Sequence, residues 1–142
     1  MKNIFLDTNV LIDFLADRKP FSTQAARLFD YSARKKIRIF ISAVSYNNIY
    51  YILKQSLSHH QTIRVLNSLQ EWTHTVDVTG KIIDSALKSD FNDFEDAIQH
   101  SCAKSVPQIG IIVTRDTKDF RKSELAVVNP AEAISIISNR EE

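Results

Sequence analysis

Hydrophobic residues in this chain fall into two kinds of segment, which differ in length and period. Short runs without polar residues, such as 4–6 (IFL) and 109–113 (IGIIV), are typical of strands buried on both faces of a parallel sheet. Longer segments repeat their hydrophobic residues at helical spacing, as residues 10–15 do. The two kinds of segment follow each other along the chain, which predicts alternating strands and helices.

The same patterns predict the positions of the elements. Strands are predicted at 4–6, 37–41, 76–78, 109–113 and 125–128. Helices are predicted at 8–15, 20–36, 42–57, 58–72, 79–87, 92–106 and 130–137. This order favours an α/β fold, with a central parallel sheet of four to five strands flanked by helices. We expect 1–142 to form a single domain and 139–142 to be a frayed tail.

Composition narrows the class of protein. The 142 residues are 44% hydrophobic and 25% charged, and the formal net charge is +1, so any nucleic-acid contact must be a local patch. The single cysteine, Cys102, excludes an internal disulfide and a multi-cysteine zinc site, and we expect it in the core. No apolar run approaches the roughly 20 residues of a membrane span, and no signal peptide is visible. We therefore expect a cytoplasmic protein with no membrane contact.

Carboxylates follow two of the predicted strands. Asp7 and Asp116 stand directly after apolar runs, and ligands of open α/β sheets bind beyond the carboxyl ends of the strands. Asp93 and Asp96 are three residues apart on a predicted helix, so they share a face, and Asp119 lies in the turn after Asp116. Oxygen ligands of this kind favour Mg²⁺ or Mn²⁺, which suits chemistry on phosphate esters.

Each carboxylate also has a structural alternative. Asp7 can stabilise a helix N-terminus, Asp93 can cap the sixth predicted helix, and Asp116 with Asp119 can form a turn. Their joint placement, rather than any one position, favours a shared site.

Four segments in order carry a resemblance to a known family. They are LDTNVLIDFL (6–15), ISAVSYNNIYYIL (41–53), DFEDAIQHSCA (93–103) and VTRDTKDF (113–120). Together they resemble the PIN domain, the metal-dependent ribonuclease fold of VapC-like toxins from bacterial toxin–antitoxin pairs. The resemblance covers 4–129, which is nearly the whole chain.

The resemblance implies a set of site residues. The family's acids map onto Asp7, Asp96 and Asp116, with Asp93 and Asp119 as additional candidates and Thr114 as a hydroxyl that helps to order the site. One position departs from the pattern, because Asn48 stands where many members carry a glutamate. Asn48 shares a largely apolar helix face, so we expect it to point inward.

The resemblance further implies a Mg²⁺- or Mn²⁺-dependent endoribonuclease, with Asp7, Asp96 and Asp116 as metal-binding catalytic residues. RNA is the implied substrate, an antitoxin protein the implied partner, and a homodimer is possible. The candidate phosphate contacts are Arg115, Lys118 and Lys54. The alternative is a PIN-fold RNA- or protein-binding module that cleaves weakly, because Asn48 lowers the negative charge of the site.

Overall fold

The computed structural model describes residues 2–141, with side chains described to residue 139. The strands are β1 (Lys2–Leu6), β2 (Ile37–Ser42), β3 (His74–Val76), β4 (Ile111–Val113) and β5 (Ala126–Val128). The helices are α1 (Thr8–Leu15), α2 (Ser22–Ala33), α3 (Ala43–Leu53), α4 (His59–Trp72), α5 (Gly80–Leu87), α6 (Phe94–Lys104) and α7 (Pro130–Glu141). A short 3₁₀ turn covers Thr117–Phe120.

The five strands form one parallel sheet in the order β3-β2-β1-β4-β5. The central strand β1 pairs with β2 on one side and with β4 on the other, and Leu6 lies beside Val113 in the register. The hydrogen bonding between β1 and β4 continues one residue further, because the amide of Asp7 donates to the carbonyl of Val113 at 3.0 Å. The predicted α/β fold with a flanked parallel sheet is confirmed, and Asp7 leaves the sheet at the same edge as Thr114.

Hydrophobic side chains cover both faces of the sheet. Successive residues of β1 point to opposite faces, so Ile4 and Leu6 join a cluster with α1 and α2, while Phe5 joins a cluster with α5 and α6. Cys102 lies in the second cluster and is fully buried, as predicted. The sheet is therefore a rigid support for whatever its carboxyl edge carries.

Some predicted boundaries are wrong. The third strand is His74–Val76 rather than 76–78, because it pairs with the end of β2 and because Thr79 caps α5 through the amide of Ile82. The second helix begins at Ser22, two residues after the proline that was expected to open it. The fourth helix begins as predicted, with a capping box in which Ser58 and Gln61 satisfy each other's backbone amides.

The C-terminal helix is longer than predicted. It runs Pro130–Glu141, so it includes most of the segment that we expected to fray, while Glu142 lies outside the described residues. Over 2–141, none of the helices has both the length and the apolar character needed to cross a membrane.

Candidate active site

Asp7 is a buried carboxylate at the carboxyl edge of the sheet. It is 5% exposed, caps α1 by accepting from the amide of Thr8 at 2.8 Å, and accepts from the hydroxyl of Thr114 at 2.7 Å. Its pKa is raised to about 6, chiefly by burial and to a smaller extent by the charges of Glu95 and Asp116, while the two hydrogen bonds oppose the rise. Asp7 therefore fills the predicted structural role at a helix N-terminus. Its raised pKa means that its environment disfavours the charged form of the carboxyl.

The helix α6 brings a second carboxylate, Asp96, towards Asp7. Asp93 is the N-cap of this helix and accepts from the amide of Asp96 at 2.9 Å, which is the structural role that the sequence allowed for it. The pKa of Asp96 is raised to about 7, chiefly by partial burial and then by the charges of Asp7, Asp93, Asp119 and Glu95. These acids are therefore close enough for the charge of each to affect the protonation of Asp96.

Asp116 is exposed at the end of β4, and three hydrogen bonds define the loop that carries it. Its carboxylate accepts from the side-chain amide of Asn9 at 3.2 Å. Its own backbone amide donates to the hydroxyl of Thr114 at 3.1 Å, and its carbonyl accepts from the amide of Asp119 at 3.0 Å. Thr114 thus connects Asp7 and Asp116, and its part in ordering a functional site stays a prediction.

Two surface depressions meet at Asp96. The first, of about 450 Å³, contains Asp7, Asn48, Glu95 and Asp96 among its lining residues. The second, of about 170 Å³, is lined by Asp93, Asp96 and Asp119 together with Lys118, Arg121 and Lys122. Acidic groups therefore occupy the junction, and cationic groups lie beside it in the second depression.

Glu95 is a site residue that sequence reasoning missed. It occupies the first turn of α6, next to Asp96, and its carboxylate accepts from the side-chain amide of Asn48 at 2.5 Å. Asn48 is only half-buried, so the prediction that it points inward holds only in part. Because only the packing of α3 against α6 brings the two residues together, no sequence spacing indicated this contact.

The candidate RNA contacts have different environments. Arg115 forms an ion pair with Asp13, at 2.6 Å from Nε to Oδ2, and its guanidinium lies over the ring of Phe21. Lys118 is exposed and lines the second depression, whereas Lys54 is the exposed C-cap of α3. Arg115 thus has a structural partner that the sequence did not indicate, and Lys118 is the best placed of the three for a phosphate.

The donor set fits a hard divalent cation in its chemistry. The candidate ligands are carboxylate oxygens, and none of Asp7, Glu95 and Asp96 forms an ion pair with a described side chain. Burial, and then the charges of the neighbouring acids, raise the pKa values of Asp7 and Asp96. Among the described residues, however, no three Asp, Glu, His or Cys side chains are gathered closely enough to form a ready-made metal centre. The carboxylates would have to converge on a cation when it binds.

Comparison with known families agrees with this architecture. The PIN domain family matches residues 3–118, which include β2, β3, β4, nearly all of β1, and the acids Asp7, Asp96 and Asp116. The chain belongs to the PIN domain family. No curated protein matches the sequence.

Solved structures with the same fold include toxin–antitoxin proteins. The DNA-bound VapBC of Salmonella typhimurium is 18% identical with a TM-score of 0.69, over 92% of this chain and 99% of that one. A toxin–antitoxin complex from Klebsiella pneumoniae is 23% identical with a TM-score of 0.66, over 89% and 97%. VapC20 of Mycobacterium tuberculosis, described as a toxin that cleaves the sarcin-ricin loop, is 17% identical with a TM-score of 0.60, over 77% and 86%. At these identities the likeness concerns the fold.

Proposed function

We propose that this protein is a Mg²⁺- or Mn²⁺-dependent endoribonuclease and the toxin-like component of a toxin–antitoxin pair. The observation that carries the proposal is the meeting of Asp7 and Asp96 at the carboxyl edge of a PIN-type sheet, where neither forms an ion pair with a described side chain and both pKa values are raised. Uncompensated carboxylates in a depression are typical of functional sites. The cleavage of an RNA loop by a protein of the same fold supports the reaction type.

In this proposal Asp7, Asp96 and Asp116 hold the cation, and neighbouring residues set their orientation. Thr114 and the amide of Thr8 orient the Asp7 carboxylate, and Asn9 orients that of Asp116. Asp93 fixes the start of α6 and so the direction of Asp96. When bound, Mg²⁺ or Mn²⁺ activates water and neutralises charge on a phosphoryl group.

The second depression supplies the contact with the RNA backbone. Lys118, Arg121 and Lys122 line it beside Asp96 and Asp119, so a phosphate bound there lies next to the acidic junction. Arg18 lines the first depression and is a further cation that the sequence did not indicate. Single-stranded or loop RNA is the favoured substrate, because its backbone can bend into a narrow site.

The partner implied by this function is a protein. Several structures with this fold are complexes of a toxin with its antitoxin, some of them bound to DNA. We propose an antitoxin as the partner of this chain too, and keep homodimer formation as a prediction that light scattering at several protein concentrations would check.

The test of the function is a cleavage assay on a structured RNA with exposed loops, in Mn²⁺, Mg²⁺ and EDTA. Wild-type protein should cleave only with a divalent cation, and Asp7→Asn or Asp116→Asn should lower the rate by at least about a hundredfold, since each loses a charge that holds the cation. Asp84→Asn is the control, because Asp84 is exposed on α5 and pairs with Lys88.

The same assay separates the second candidate function, an RNA- or protein-binding module. Asn48, at the position where the resemblance implies a glutamate, favours that candidate, because its amide brings no negative charge from α3 to the site. Wild-type protein that binds RNA in a gel-shift assay, yet cleaves no faster than Asp7→Asn, would establish the binding module in place of the nuclease.

A further inference from the structure

One hydrogen bond joins a half-buried amide on α3 to an acid in the first turn of α6. The side-chain amide of Asn48 on α3 donates to the carboxylate of Glu95 on α6 at 2.5 Å. Both residues line the same depression as Asp7 and Asp96. The depression therefore holds the carboxylate of Glu95 beside those of Asp7 and Asp96.

We propose that Glu95 is a further acidic group of the cation site, and that Asn48 is its positioning residue. This inference rests on the proposed metal-dependent function and adds one carboxylate to the groups that would hold the cation.

The charges around Glu95 support a role beyond that of a surface side chain. Among the ion pairs of the described residues none includes Glu95, so its charge is not cancelled by a lysine or an arginine. That charge lies in the proposed site, because Glu95 lines the same depression as Asp7 and Asp96. A glutamate that merely solvates a helix surface would not need to face two other acids at an energetic cost.

The identity of Asn48 is explained by the same contact. Glu95 is an exposed, long side chain near the start of α6, and it would lose considerable rotamer freedom if it were held in one place. An amide hydrogen bond holds it without cancelling its charge, which a lysine would do. A glutamate at position 48 would instead put two carboxylates within contact distance, so asparagine and glutamate at these positions form a complementary pair.

The test is a calorimetric titration of MnCl₂ into five proteins at one pH: wild type, Glu95→Gln, Asn48→Ala, the transposed double variant Asn48→Glu/Glu95→Gln, and Asp7→Asn. Glu95→Gln should bind Mn²⁺ about tenfold more weakly, within the range measured when a group that supports a metal site is removed. Asn48→Ala should lose a smaller part of the affinity, since the charge remains but is no longer held. The double variant moves the carboxylate to α3 and should recover most of the loss.

Glu71→Gln is the matched control, because it removes the same charge from α4, where Glu71 lies near Trp72 in a different depression. It should bind Mn²⁺ as wild type does. Circular dichroism spectra and thermal midpoints in EDTA establish that every variant is folded before its affinity is compared.

The outcomes separate this inference from the proposed function. If Asp7→Asn loses Mn²⁺ binding while Glu95→Gln keeps the wild-type affinity, the cation site stands and the role of Glu95 is overturned. An equal loss in Glu71→Gln and Glu95→Gln would also overturn it, since net charge alone would then explain the effect. If the wild-type protein binds no Mn²⁺ at all, both proposals fail.

Discussion

Arg115 and Asp13 form a two-point ion pair across the edge of the sheet, with Nε 2.6 Å from Oδ2 and Nη2 3.2 Å from Oδ1. The side chain of Asp13 is only 2% exposed, and the guanidinium lies 4.1 Å from the ring centroid of Phe21. Because Arg115 stands between Thr114 and Asp116, this contact ties the loop after β4 to α1. Thr114 also bonds to Asp7, and Asp116 bonds to Asn9. Residues 114–116 are therefore all joined by side-chain contacts to residues 7–13.

The ion pair predicts a large loss of stability in Arg115→Ala. The substitution leaves the buried carboxylate of Asp13 without a cation, which should lower the free energy of unfolding by about 2–4 kcal/mol. Urea denaturation would measure it. The control is Lys88→Ala, which breaks an exposed pair with Asp84 and should change stability by less than about 1 kcal/mol. Similar losses in the two variants would contradict the importance given to the buried pair.

The raised pKa of Asp7 predicts a pH dependence of the metal-free protein. Its carboxyl has a pKa of about 6 in the native state against 3.8 ordinarily, so between these values the native state binds more protons than the unfolded chain. Stability from this group should therefore be greatest below pH 4 and fall as the pH rises to about 7. One pKa unit corresponds to about 1.4 kcal/mol, so the decrease from Asp7 is on the order of 3 kcal/mol.

Urea denaturation in EDTA between pH 4 and pH 8 would check this dependence. Asp96 adds a decrease in the same direction, because its pKa is raised to about 7. Asp7→Asn should flatten the profile, since the amide does not titrate. A wild-type profile that rises through pH 5–7, and that Asp7→Asn leaves unchanged, would show that other groups dominate the titration.

A divalent metal ion should stabilise the native state, because it offsets the repulsion between the carboxylates of Asp7 and Asp96. A cation that binds only the native state should raise the free energy of unfolding by about 2.7 kcal/mol at a hundred times its dissociation constant. Thermal melts at pH 7.5 would compare the unfolding midpoints in Mn²⁺ or Mg²⁺ with the midpoint in EDTA. The metal should raise the midpoint of the wild-type protein and leave that of Asp7→Asn unchanged. An equal midpoint in metal and in EDTA for the wild-type protein would count against a shared carboxylate site.

A buried polar cluster joins the helices beneath the site. Gln99 is fully buried, and its side-chain amide donates to the hydroxyls of Thr8 at 2.8 Å and Ser45 at 3.3 Å, which also contact each other at 2.7 Å. Its Oε1 accepts no hydrogen bond from the described residues. The cluster thereby links α1, α3 and α6, the helices that follow or carry Asp7, Asn48 and Asp96.

Gln99→Met should lower the free energy of unfolding by only about 1 kcal/mol, because it keeps the volume, removes an unpaired oxygen and leaves the two hydroxyls paired. Gln99→Glu should cost more, and increasingly so with rising pH, because a carboxylate would have to ionise where no water reaches it. Urea denaturation at pH 5 and pH 8 would compare them. Equal stability of the two variants at pH 8 would mean that the site is more open than its burial indicates.

The succession of strands and helices could be predicted from the sequence, because it depends on local periodicity and on capping residues. The run at 109–113 and the cap at Ser58 each carry their own structural signal within a few residues. Boundaries that depend on a distant partner could not be predicted in this way. The third strand ends at Val76 because β2 ends beside it, and no local pattern contains that information.

The candidate site, like the fold, has some features that the local sequence predicts and others that depend on distant partners. Asp7 and Asp116 could be placed at one edge from the sequence, because every parallel strand of a sheet has its carboxyl end on the same side. The partners of the charged groups depend on tertiary packing. Asp13 pairs with Arg115, which is 102 residues away in the chain, and Glu95 bonds to Asn48, which is 47 residues away. A side chain's charge is encoded locally, whereas its neighbours depend on how helices from distant segments come together, and that is why Glu95 became visible only in the folded protein.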